Sequence, residues 1–101
     1  MAKDRSGGDE REIETLLYAA ELNQDCPKKD FHAIRARDVA PVLHNFLTEQ
    51  QVDQEYVRIV FGVGEGVVRG IVVKELERFR KQGFIRGFKI EGNGAACVVV
   101  F

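Results

Sequence analysis

Residues 57–73 form two dense apolar segments on either side of an alternating glycine run, Gly62-Val63-Gly64-Glu65-Gly66. Nothing else in the chain constrains its fold as strongly. Glycine at every second position weakens both helix and strand, so regular structure breaks there. Two structures fit the flanks. Residues 56–63 and 67–73 are rich in β-branched and aromatic side chains, which suits two strands of a hairpin turning at residues 64–66. The same segment spaces Val57, Phe61, Val63, Val68 and Ile71 as two helices packed steeply about a tight turn would bury them. Asp53 then serves as the N-cap of the first helix, with Val52 and Val57 as its hydrophobic staple. Gly62 is the left-handed pivot between the two.

The rest of the chain reads more plainly. After Met1, residues 2–8 hold no large apolar side chain, and residues 1–8 are expected to be a disordered tail. Ile13, Leu16, Leu17 and Ala20 mark one face of a helix over residues 9–23. Residues 24–30 read as a loop, around Pro27 and Lys28-Lys29-Asp30. A second helix is expected from an Asp38 N-cap to about Gln51, with Pro41 in its first turn and a stripe of Val39, Val42, Leu43, Phe46 and Leu47. Val68, Val72, Leu76 and Phe79 give the buried face of a third helix, stopped by Gly83. Residues 84–90 and 96–101 read as strands joined by the turn Glu91-Gly92-Asn93-Gly94. Residues 9–101 thus make one domain.

Residues 53–101, taken as two helices about Gly62, a stop at Gly83 and a terminal hairpin, resemble the winged helix-turn-helix superfamily. The resemblance implies a mainly α fold with a C-terminal β-hairpin as the wing. It also implies a small transcriptional regulator whose helix over residues 65–82 enters the major groove of double-stranded DNA. Arg69, Lys74, Arg78 and Lys81 on that helix, and Arg86 and Lys89 on the wing, would bind the nucleic acid. One such domain has a small footprint, so a homodimer is expected, in contact through the first helix or the C-terminal strand. The hairpin reading gives instead an α+β fold with a four-stranded antiparallel sheet, on which residues 74–82 lie as a helix.

Charge bears on the same choice. Lys and Arg number 15 against 16 Asp and Glu, which excludes a uniformly polybasic protein. Residues 1–64 hold 8 basic and 12 acidic side chains, and residues 65–101 hold 7 and 4. Such polarity steers phosphate toward the C-terminal part; its alternative is a solvated helix face, with Arg78, Arg80 and Lys81 beside Glu75 and Glu77. A second function competes with DNA binding. Gly66, Gly70 and Val73 leave an exposed helix face nearly bare, where a protein partner can approach closely.

Catalysis and metal binding find little support in the sequence. Cys26 and Cys97 stand far apart, with no C-x-x-C pair, so no metal site and no cofactor are expected. His32 and His44 have no evident nucleophile beside them, and the only serine is Ser6. The glycine run matches neither the kinase loop nor the Rossmann pattern. No enzyme is expected. With no apolar run long enough for a membrane span and no leader, the chain is expected in the cytoplasm, nucleoid or nucleus and not to be secreted.

Overall fold

The glycine run separates a strand from a helix. The computed structural model describes residues 9–62 and 66–101. In it the chain forms α1 (Asp9–Leu22), β1 (Lys28–Asp30), α2 (Ala36–Gln51), β2 (Tyr56–Val60), α3 (Val67–Lys81), β3 (Gly87–Ile90) and β4 (Ala96–Val100). Each sequence reading therefore describes one side of the break. Residues 57–60 are extended, as in the hairpin reading, and residues 67–73 are helical, as in the other.

The helix-turn-helix is corrected by β2. Val57, Ile59 and Val60 are β-branched and fit a pleated surface better than a helix. Val57 pairs with Val99 and Ile59 with Cys97, so this segment belongs to the sheet and leaves no first helix to pack on α3. Gly62 is left-handed (φ 83°) as expected, but it ends a strand. The expected packing of Val63, the turn at residues 64–65 and the tail over residues 1–8 lie outside the described residues.

The sheet has four strands in the order β1-β2-β4-β3. It is mixed, not antiparallel: β1 runs parallel to β2, while β4 runs antiparallel to both β2 and β3. Its fourth strand is β1, three residues from the segment read as a loop, too short and too polar to display a period of two. The expected hairpin is present, closed by the Glu91 N–H donating to Ala96 O at 2.8 Å. β4 lies between two partners with all five residues buried, so this strand cannot be the contact of a homodimer.

Two layers of helix cover the sheet. α2 and α3 bury Val39, Leu43, Leu47, Val72, Leu76 and Phe79 against Val57, Ile59, Cys97 and Val99. Each such large side chain contributes roughly 1.5–3 kcal/mol of burial, so this layer holds most of the core. α2 starts at Ala36 and not after Asp38, with Arg35 extended (ψ 146°) before it and Pro41 inside the helix. α1 packs on the opposite face, over β2, β3 and β4. There Arg58, only 6% exposed, donates to the carbonyls of Ala20 (2.9 Å), Glu21 (3.1 Å) and Asn23 (3.1 Å). α1 has no basic residue in its last turn. Arg58 supplies from the sheet the cation and the donors which that helix end lacks.

Candidate functional site

β1 and β2 are adjacent and parallel, and each is followed by a helix in the same layer. In sheets of this kind, ligands bind beyond the carboxyl ends of the parallel strands, where loops and helix N-termini converge. Here those ends are tied together by the backbone. The Phe31 N–H donates to Val60 O (2.8 Å), and the Phe61 N–H donates to Ala95 O (2.7 Å). Three segments thereby border one cleft of about 330 Å³, lined by His32, Phe61, Gly62, Gly66, Val67, Val68, Arg69, Asn93, Gly94 and Ala95.

His32 enters the cleft from the loop after β1. Its backbone N–H donates to Asp30 Oδ1 (2.9 Å), and its Nδ1 lies 2.7 Å from the same oxygen. The backbone N–H first, and the ring second, hold the Asp30 carboxyl below the usual carboxylate range. With Nδ1 turned to Asp30, Nε2 is the ring nitrogen left to face a ligand. Gly62 makes this placement possible. A Cβ at position 62 would stand 2.9 Å from the His32 Cβ, so any side chain there would push the histidine out.

Arg69 enters from the first turn of α3, and its Nη1 donates to Gly94 O at 3.2 Å. Gly94 has φ 75°, and a Cβ on it would lie 2.8 Å from Arg69 Nη1. The guanidinium therefore occupies space that a side chain at 94 would take. Gly66 is the N-cap of α3 and no side chain among the described residues caps it; Gly66, Val67 and Val68 line the cleft, so the positive end of the helix borders it. On the hairpin side, Asn93 Oδ1 accepts from the Ala95 N–H (2.9 Å). That bond engages the amide oxygen, so the NH₂ is the donor this side chain has for a ligand. Cation, helix terminus, imidazole and amide together match an oxyanion with an attached organic group.

The six cations singled out in the sequence do not converge on this cleft. Arg69 lines it. Lys74 and Lys81 are exposed along α3, about 7.5 and 18 Å further on at 1.5 Å per residue. Arg78 pairs with Glu75. Arg86 and Lys89 pair with Glu12 and Glu21 of α1, on the other face of the sheet. Of the bare helix face, Gly66 lines the cleft, Gly70 is open to solvent and Val73 is half-buried. His32, Asp30 and Asn93 escaped the sequence reading. Asp30-Phe31-His32 a few residues before a helix, and a glycine run closely following a β-branched segment, were the available signals.

The remaining titratable groups lie apart from the cleft. Burial pushes the Cys97 thiol in β4 up to about 12, so it stays protonated. His44 stacks on Phe84, with centroids 5.5 Å apart, at the junction of α2 and the end of α3. Among the described residues, no cluster of His, Cys, Asp and Glu could hold a metal ion, and no helix is long and apolar enough to cross a membrane.

No family model matches the sequence, and no curated protein matches it. Among solved structures, the chain is similar to the Smr domain of Thermus thermophilus MutS2, with a TM-score of 0.63 at 18% identity. The match covers 73% of this chain and 95% of that domain. The likeness concerns the fold. It agrees with the α+β sheet described above and overturns the winged helix-turn-helix assignment.

Proposed function

We propose that this chain binds nucleic acid through its phosphate backbone, in the cleft at the carboxyl ends of β1 and β2. One observation carries the reading: the Arg69 guanidinium, the uncapped start of α3 and His32 border a single cleft that three backbone segments hold open. These groups suit a phosphate, and the cleft has room for the sugar or base beside it. The contacts carry no base code of their own, so the binding is general and not sequence-specific. DNA is the first ligand to try.

The test is fluorescence anisotropy with labelled mixed-sequence DNA, single-stranded and duplex. Arg69→Ala should weaken binding about tenfold or more, since a hydrogen bond to a charged group is worth roughly 1.5–3 kcal/mol. Equal affinity of the variant and the parent chain would refute the reading.

The Asp30–His32 pair favours a second reading, hydrolysis of the phosphodiester, in which a water oxygen bonds to phosphorus, one P–O ester bond breaks and the leaving oxygen takes a proton. Nδ1 held by a carboxylate leaves Nε2 to give or take a proton, the arrangement used in general acid–base catalysis. Incubation with end-labelled oligonucleotide tests it. His32→Ala should abolish product while most of the affinity remains.

A further inference from the structure

We propose that residues 28–37 form a second backbone-tracking segment, which carries the nucleic acid strand past the cleft along the open edge of the sheet. The inference rests on the phosphate-binding reading above and extends it to a surface that the charge distribution along the sequence conceals. The C-terminal part looks basic, yet Arg78, Arg80, Arg86 and Lys89 are each ion-paired within the fold. The N-terminal part looks acidic, yet Lys28, Lys29, Arg35 and Arg37 form no ion pair among the described residues. Among the described residues, folding thus leaves these four cations unpaired, as it does Arg69, Lys74 and Lys81 of the C-terminal part, so the unpaired positive charge is not confined to the end that looks basic.

These four cations flank His32 in sequence: Lys28 and Lys29 precede it on opposite faces of the edge strand, in register with Arg58 and Ile59, and Arg35 and Arg37 follow it. Lys28 and Lys29 lie in β1, which is next to β2 and, among the described residues, has no partner on its other side. Arg35 and Arg37 lie at the start of α2, just beyond His32, and both are exposed or half-exposed. At about 3.3 Å per residue, β1 alone sets Lys28 about 6.6 Å back from Asp30, and His32 lies further on. That spread suits successive phosphates along a strand and exceeds what one phosphate needs. Asp30, the carboxylate at the centre of the run, is occupied by His32. Lysines on an edge strand also discourage pairing with other strands. That role explains neither Arg35 nor Arg37.

The salt dependence of binding to labelled mixed-sequence DNA tests the assignment. Removing one cation that neutralises a phosphate should lower the slope of log affinity against log salt by about 0.7–0.9. Lys28→Ala/Lys29→Ala and Arg35→Ala/Arg37→Ala should each reduce that slope by about 1–2 and weaken binding several-fold at moderate salt. Arg11→Ala, on α1 at the other face of the sheet, should change neither. Circular dichroism confirms that each variant folds, which surface substitutions of this kind permit. If the parent chain binds and both double variants keep its slope, the segment does not touch the strand and the proposal falls while the cleft stands. If the parent chain fails to bind, the cleft reading fails and this one with it. Equal competition by poly-glutamate would also overturn it, because the run would then be a general polyanion patch.

Discussion

Arg69 Nη1 donates to Gly94 O at 3.2 Å, a bond between the first turn of α3 and the tip of the β3–β4 hairpin, 25 residues apart in sequence. It fixes the cleft's guanidinium against a turn whose own geometry requires glycine.

Gly94→Ala therefore separates the presence of this charge from its position. A methyl group at 94 would meet Arg69 Nη1, and the left-handed backbone adds about 1–2 kcal/mol of strain. The variant keeps every charge of the parent chain. Its affinity for labelled DNA is expected to fall nearly as far as that of Arg69→Ala, with a melting temperature a few degrees lower. Unchanged affinity would mean that the guanidinium need not be held in place.

Asp30 links the cleft to pH. Its carboxyl titrates below its unfolded value because the His32 N–H and ring stabilise the charged form. The stability gained is therefore present above the ordinary aspartate range and disappears as pH falls through the lower, folded value. Asp30→Asn should be slightly less stable than the parent chain at neutral pH. The two should converge in acid, which urea unfolding at several pH values would reveal. Half-exposed as Asp30 is, the difference should be small.

Arg58 is expected to govern α1. Arg58→Met removes the donors to Ala20, Glu21 and Asn23 and leaves Glu91 without its partner. Breaking a buried pair on one side costs on the order of 3–5 kcal/mol, somewhat less here because Glu91 reaches solvent. Hydrogen exchange should show protection lost first in residues 9–22, while α2 and α3 keep theirs. Uniform loss across the chain would contradict this division of the fold into layers.

Cys97 predicts an alkaline limit. Its folded value is raised to about 12, so the contribution of the protonated thiol is complete below the ordinary thiol value of 9.0 and is lost as pH rises above it. Cys97→Val should match the parent chain near neutrality. It should be relatively more stable by about 1 kcal/mol at one pH unit above the unfolded thiol value. Thiol reagents should label Cys97 only on unfolding.

Helices are legible in the sequence where a long apolar stripe recurs. Val72, Leu76 and Phe79 of α3 are buried as their spacing implies, and so are Val39, Leu43, Phe46 and Leu47 of α2. β2 is legible only as one of two alternatives, because five residues of Tyr-Val-Arg-Ile-Val carry no period that separates a strand from one turn of helix. β1 is invisible, since its place depends on hydrogen bonds to β2 and not on its own side chains. The cleft is half legible. Arg69 and Gly66 stand out in the sequence on a mistaken helix-turn-helix premise, whereas His32 belongs to the cleft only because β1 runs parallel to β2. A sequence records such adjacency weakly, because the two strands are separated by the whole of α2.

The burial of β4 between β2 and β3 also bears on how the molecule is made. β2 and β3 never touch through hydrogen bonds; each is joined to the other through β4. A ribosome that has synthesised the chain as far as Ile90 has delivered every helix described here, but it has not delivered the strand that joins the β1–β2 pair to the lone β3 in one sheet. Until Val100 emerges, Val57 and Ile59 have helices to lean on and no antiparallel ladder to join. Assembly of the sheet therefore waits on the last of its strands in chain order.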